Sequence, residues 1–590
     1  MDIIQSSNSN DDKIDNLLNL STSVSKEDLN KSQELSIGYD SEERTWELIV
    51  KHTGDISVIY EYAEKPPVFL LGNYAIIQIK ESRIRQFSNE KAVIFIEKPK
   101  IIFPDVFDGI AMSCVYEIQQ DLGIYGEGVL VGIVDSGIDY THDVFRNRDG
   151  STRIKLIWDQ NIEAQNVNNT SEENIGGTVY SEEEINRALN EANPYSVVPS
   201  KDSSGHGTHV AGIAAGNFAS DKNNNVGMAT GSQLIIVKLR RGSGSFYPGT
   251  VELMEGIDFI VRKAIELNMP LALNISYGNN YGSHDGTSLI ETYIDYVASL
   301  GQISIAVGTG NEATGAVHEL VMAENGTEHI SEISVSNYEK SLNIQIWKYY
   351  EDIIDIFIES PAGYRYRITE EYSQQEIIIK SENVKMLIFS GEPKPYSQAQ
   401  EIFIELIPQD MYISIGIWKI ILYGRNIVDG RVDMYLQSAA SLGRGTGFLR
   451  PNPITTLTIP STASKVVSVG AYDARTGAYA NFSGRGYTRV TNQIKPDIVA
   501  PGVNVLSATP GGGLESRSGT SMATPFVTGA MALLMEWGIV RGNDRYLYGE
   551  KLKAYLKRNA TREQNVQYPN EKEGYGRLCV GVPTIRNDIF

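Results

Sequence analysis

Residues 234–278 read LIIVKLRRGSGSFYPGTVELMEGIDFIVRKAIELNMPLALNISYG, and their pattern decides the fold class. A continuous apolar run, LIIVKL, leads to a long amphipathic segment and then to a second apolar run, LALNISYG. In the middle segment Met254, Ile257, Val261, Ala264 and Ile265 recur at helical spacing. A strand buried on both faces reads as an unbroken apolar run, because neither side of its pleat meets water. The alternation extends outward through VLVGIVD at 129–135, TSLIETYIDYVASL at 287–300, ISIAVGTG at 303–310, VVSVGAYD at 466–473 and DIVAPG at 497–502. Apolar strands separated by helices predict an α/β domain with a parallel sheet flanked by helices on both faces.

The pattern breaks between about His318 and Gly445. NIQIWKYY, IIDIFIES, YRYRITEE, EIIIKS, VKMLIFSG, EIFIELI, IGIWKIILYG and RVDMYLQ are short strands of alternating polarity with turns between them. That is the signature of a β-sandwich or jelly roll, here inserted into the α/β domain. Ahead of both, WELIVK, YAIIQIK and VIFIEKP read as strands and ESRIRQFSNEK as a short helix, a small α+β unit. Residues 1–36 are rich in Ser, Asn, Asp and Lys and read as a disordered tail. The expected division is therefore a tail at 1–36, the α+β unit at 37–113, the α/β domain at 114–317 and 446–590, and the insert at 318–445.

Composition narrows the function. The 590 residues carry 73 acidic and 52 basic side chains, a net charge of -21. Nucleic acid is not expected as a partner, since a phosphate backbone needs a basic surface. Cys114 and Cys579 are the only cysteines, too few for a secreted disulfide framework, and two reduced thiols are expected. The start, MDIIQSSNSNDDKIDN, has neither a basic n-region nor an apolar h-region, so cytoplasmic synthesis without a signal peptide is expected. There is no run of 18 apolar residues, and no membrane partner is expected.

Three segments carry chemistry. DSGID places Asp135 at the end of an apolar strand, GHGTHVAG opens a small-residue helix at His206, and GTSMATP sets Ser521 just before a helix with Pro525 in its first turn. Functional residues of open parallel sheets lie at such strand ends and helix starts. A serine hydroxyl is a weak nucleophile and needs an adjacent base. His206 would take its proton, and Asp135 would fix the imidazole tautomer and stabilise the imidazolium. A helix N-terminus beside Ser521 would favour the developing oxyanion. Singly, each motif also reads as a turn, an N-cap or, for His206 and His209, an incomplete H-x-x-H metal pair. Gly519-Thr520-Ser521-Met522-Ala523 is not G-x-S-x-G, which disfavours an α/β-hydrolase elbow.

In this order and on this sheet, DSGID, GHGTHVAG and GTSMATP resemble the boxes of the subtilases. The resemblance implies a serine endopeptidase whose substrate is a protein or peptide. It implies that Asn311 in VGTGNEATG supplies an oxyanion-hole amide. Ser276, Tyr277 and Gly278, with Leu239 and Gly242, would line the bound peptide as added strands. More narrowly, IEKPK, the linker containing Ser113-Cys114, DSGIDYTH and the inserted jelly roll resemble the Csp germination proteases of clostridial spores. That family implies self-cleavage near the end of a propeptide, which stays bound as a chaperone, packaging in the spore, and limited proteolysis of a cortex-lytic zymogen. Subtilisins often carry an acidic calcium ligand two positions after the place of His142, where this chain has Val144, so no metal or other cofactor is expected. The alternatives are a non-catalytic scaffold or germinant sensor on the same fold, and a cytoplasmic housekeeping subtilase.

Overall fold

Eight strands form the central sheet, in the order Thr178–Ser181, Ile154–Asp159, Gln233–Lys238, Leu130–Asp135, Leu271–Ile275, Ile303–Gly308, Val467–Tyr472 and Ile498–Pro501. All neighbours run parallel except the first pair. The computed structural model describes residues 4–5, 12–100, 103–104, 113–163, 176–217, 227–242, 247–368, 376–380, 383–395 and 397–581. Helices His206–Ala215 and Thr520–Met535 pack on one face of the sheet, and Thr250–Glu266 and Leu289–Val297 on the other. The segment Thr520–Val540 is apolar and long enough to cross a bilayer, but 78% of its apolar window is buried. Its hydrophobicity serves the core of the domain.

The insert is a two-layer antiparallel sandwich. Six strands of the insert, with Ile4–Gln5 of the N-terminal segment added at the edge beside Glu376–Lys380, form one sheet, and a five-stranded sheet faces it across a core that includes Ile344, Ile346, Ile404, Trp418, Ile420 and Met434. The insert begins at His318–Met322 and closes with Gly447–Phe448, which pairs with Ile333 and Ser334.

The N-terminal unit has a sheet with two buried faces. Strands Thr45–His52 and Tyr74–Lys80 pair antiparallel, and successive side chains point to opposite sides. Ile49, Tyr74, Ile76 and Phe95 pack on the helices of the α/β domain. Trp46, Leu48, Val50, Ile77 and Ile79 face the other way, toward the insert.

Here the expected disordered tail is corrected. Residues 12–36 contain helices Asn16–Ser23, Lys26–Lys31 and Gln33–Ser36. Leu17, Leu18, Leu20, Leu29 and Leu35 join the core formed by Trp46, Leu48 and Ile77 with Leu387, Phe389, Phe403 and Ile407 of the insert. The segment is polar on average, but its few leucines share one face, and the apolar surface that orders them lies about 350 residues away in the sequence. Asn16 also donates to Glu401, and Ser32 to Glu405. Deleting residues 1–35 is therefore expected to lower the melting temperature markedly, since each buried side chain of this size contributes about 1.5–3 kcal/mol. A thermal melt tests this, and an unchanged midpoint would overturn it.

The expected pair of free thiols is also corrected. Cys114 and Cys579 are disulfide-bonded, 465 residues apart in sequence, and tie the start of the α/β domain to its C-terminal segment. Two cysteines so distant in sequence give no sign of adjacency until the sheet brings their segments together.

Candidate active site

Three elements meet at the carboxyl edge of the sheet. Asp135 ends its strand, fully buried, and its Oδ1 accepts from the Ser136 N–H at 2.7 Å. His206 is the first residue of its helix, and its Nδ1 lies 2.7 Å from the same Oδ1. Beside a carboxylate Nδ1 carries the proton, which leaves the Nε2 lone pair free. Nε2 is buried and has no partner among the described residues. The close approach depends on Gly207, where a Cβ would lie 2.2 Å from the Gly137 carbonyl and 3.1 Å from the Asp135 Cβ. Asp202 secures the contact. Its carboxylate accepts from Ser136 Oγ, from the Gly205 and Thr208 N–H groups, and from Thr208 Oγ1. Asp202 lies outside the three motifs read from the sequence, and its position four residues before His206 is the signal that points to it.

Burial alone would lower the His206 pKa, but the Asp135 carboxylate outweighs it, and the net shift is upward from the ordinary 6.5. His209 behaves in the opposite way. Burial, reinforced by the positive charge of Arg517, pushes it down to about 3, and its Nε2 faces the Glu515 carbonyl at 3.0 Å. His206 and His209 thus serve separate structures. The described residues contain no group of three or more His, Cys, Asp or Glu placed to hold a metal.

Ser521 is the second residue of helix Thr520–Met535, and its Oγ donates to the Ser276 carbonyl at 3.2 Å. Pro525 stands at the sixth helical position, not in the first turn. Lacking an N–H, it leaves the Ser521 carbonyl without its helical donor, and Ser276 Oγ donates there instead at 3.2 Å. The two exchanges fasten Ser521 to the 276–278 segment. Asn311 caps a short turn and accepts from the Thr520 N–H through Oδ1 at 3.1 Å, which leaves its amide N–H donors for another acceptor.

The expected peptide-lining residues divide. The backbone of Tyr277 and Gly278 pairs antiparallel with Phe103 and Pro104, the segment that follows the N-terminal unit. The Tyr277 ring meets the His206 imidazole edge-on, with centroids 5.9 Å apart. The Leu239 side chain, just past the end of its strand, is buried in the core between the sheet and helix Thr250–Glu266, so only its backbone could meet a peptide. Gly242 lies against Ile37 of the N-terminal unit, where a Cβ would come within 3.2 Å of Ile37 Cδ1. Residues 243–246 lie outside the described residues. Arg240 between them pairs with Glu47 at 2.9 Å, Glu252 at 3.1 Å and Glu255 at 2.7 Å, so it joins the N-terminal unit to the α/β domain.

Residues 126–395 and 440–576 match the Subtilase family, peptidase S8. The chain belongs to the subtilase family. Residues 12–100 match the Csp protease B prodomain, so the N-terminal unit is a prodomain that includes the three helices. The solved CspB protease of Clostridium perfringens is similar at 38% identity and a TM-score of 0.73, covering 79% of this chain and 94% of that one. The subtilisin-like protease SBT3.16 of Arabidopsis thaliana is 24% identical over 444 residues, 69% of this chain and 54% of that protein. The minor extracellular protease Vpr of Bacillus subtilis (strain 168) is 22% identical over 489 residues, 77% and 51% respectively. The chain thus spans about half the length of these two curated relatives.

Proposed function

We propose that this subtilase is a serine endopeptidase in which Ser521 attacks a peptide carbonyl. His206 takes the serine proton at Nε2 and later returns it to the leaving amine. Asp135 holds the imidazole and stabilises its charged form, and the Asn311 amide donates to the oxyanion. The observation that carries this reading is the buried, unpartnered Nε2 of His206, with Nδ1 bound to Asp135 at 2.7 Å. Ser521 Oγ rests on the Ser276 carbonyl, and catalytic hydrogen bonds commonly form fully only when substrate binds. A fluorophosphonate probe tests the reading: it should label Ser521, and labelling elsewhere or not at all would refute it.

Two further outcomes follow from the roles. Asn311→Ala should fold normally and lose about 100- to 1000-fold in kcat on a peptide ester, the usual loss for one oxyanion donor. Activity near wild type would remove Asn311 from the mechanism. His206 must be neutral to accept a proton, and its pKa is raised, so kcat/KM should fall with acidification at a midpoint above 6.5. A pH profile with its acid limb below 6.5 would contradict the Asp135–His206 pairing.

The prodomain is proposed to remain bound after self-cleavage, with Phe103–Pro104 occupying the edge that a substrate strand would use. The likeness to the C. perfringens CspB protease supports a role in spore germination, with a cortex-lytic zymogen as the physiological substrate. Incubation with purified zymogen, read by N-terminal sequencing of its products, tests that assignment.

A further inference from the structure

Where the insert meets the α/β domain, two arginines share one carboxylate. Asp433, wholly buried on strand Arg431–Leu436, accepts from Arg431 Nε at 2.8 Å and Nη2 at 3.0 Å and from Arg489 Nε at 2.9 Å, and it faces His318 Nε2 at 3.1 Å. Burial alone would raise its pKa, but His318, Arg431 and Arg489 hold it well below the ordinary carboxylate range, so it stays charged. The Arg431 side chain is partly exposed and keeps some of its charge in water, whereas Arg489 is wholly buried. Of the Arg489 guanidinium, Nε alone is engaged. Nη1 and Nη2 have no hydrogen-bond partner, and Asp433 is its one ion-pair partner, among the described residues. The Tyr349 ring centroid is 5.9 Å from the guanidinium carbon, at the outer limit of a cation–π contact. One buried positive charge is therefore incompletely balanced.

Arg489 comes from the α/β domain, and its N–H donates to the His284 carbonyl at 2.8 Å. The next residue, Val490, has φ 60°, a conformation that β-branched residues rarely adopt. Such strain persists where the surroundings over-determine the backbone, and here it accompanies the placing of Arg489 beneath the insert. Trp347 neighbours Asp433 on the adjacent strand and faces the same side. It is buried, and its indole N–H also lacks a partner among the described residues. With Ser283 and Ser397, Trp347 lines a cleft of about 350 Å³. The cations lining that cleft have carboxylate partners: Lys100 lies 3.2 Å from Glu97, and Lys394 lies 3.3 Å from Asp15. Asp285, beside the cleft, is engaged by the hydroxyls of Ser283, Thr287 and Ser397. A water molecule could meet the bare donors of Arg489 but would leave its charge unbalanced, and a buried charge is costly unless it is paired.

We propose that Arg489 Nη1 and Nη2, with the Trp347 N–H as a further donor, bind a small monovalent inorganic anion of the chloride type at the junction of the insert and the α/β domain. The anion balances the second guanidinium and ties the 487–492 loop to the insert. The site uses none of the catalytic residues and stands independently of the protease reading.

The test uses the full chain, exchanged into sodium gluconate and titrated with sodium chloride at constant ionic strength. Chloride should raise the melting midpoint by about 2 °C or more along a saturating curve, as expected of a ligand that binds only the folded state. Crystals grown without chloride and soaked in sodium bromide should show an anomalous peak in contact with Arg489 Nη1 and Nη2. Arg489→Met should abolish the chloride response, and Trp347→Phe should raise the half-saturating chloride concentration several-fold. If Arg489→Met does not fold, the bromide peak in the wild type decides. Equal midpoints in chloride and gluconate, or bromide peaks elsewhere and none at Arg489, overturn the proposal. A half-saturating concentration unchanged by Trp347→Phe overturns the part played by Trp347.

Discussion

Ser521→Ala should accumulate as one full-length chain, while the wild type separates its prodomain from its protease domain. The cut is expected in the linker between about Asp105 and Gln120, of which residues 105–112 lie outside the described residues. The prodomain strand ends at Pro104, still paired with Tyr277, so the bond should lie soon after it. Turnover of a peptide substrate should fall on the order of 10⁶-fold, as it does when subtilisin loses its serine. N-terminal sequencing of both proteins after expression decides the matter. A cut at the same bond in the alanine protein would assign processing to a host protease.

Much of this site was legible in the sequence because its chemistry lies in short local segments. DSGID, GHGTHVAG and GTSMATP each fix a residue by its strand end or helix start, and the unbroken apolar runs fix the sheet that gathers them. What was not legible depends on contacts between distant segments. The leucines of residues 14–35 look unsupported until Leu387, Phe389, Phe403 and Ile407 cover them. Cys114 and Cys579 look like isolated thiols until the fold brings them together. Pro525 showed the same limit on a smaller scale. Its place in the helix could be misjudged by a few residues, and its effect on the Ser521 carbonyl appears only beside Ser276.

A chain beginning at Cys114 should aggregate, and residues 12–104 supplied as a separate chain should restore soluble, active enzyme. The prodomain covers two surfaces at once. Ile49, Leu70, Tyr74, Ile76 and Phe95 lie on the core beside helices Thr250–Glu266 and Leu289–Val297, and without them that apolar surface meets water. Trp46, Leu48 and the N-terminal helices cover the insert. Polar groups would lose partners too. Arg240 would no longer meet Glu47, and the Glu405 carboxylate, whose pKa burial raises to about 8, would lose Ser32. Folding should suffer more than final stability. The sheet joins strands from Leu130 to Pro501 with the whole insert between two adjacent ones, and such long-range pairing is slow because loop closure precedes the contacts that reward it. A preformed prodomain offers both the helices and the insert a surface on which to settle early. Refolding yield, read by activity on a small peptide, is the deciding measurement. Residues 12–104 should rescue better than residues 37–104, since only the longer chain carries the helices that pack on Phe389 and Phe403. Equal yields with and without the added chain would show that the prodomain does not assist folding.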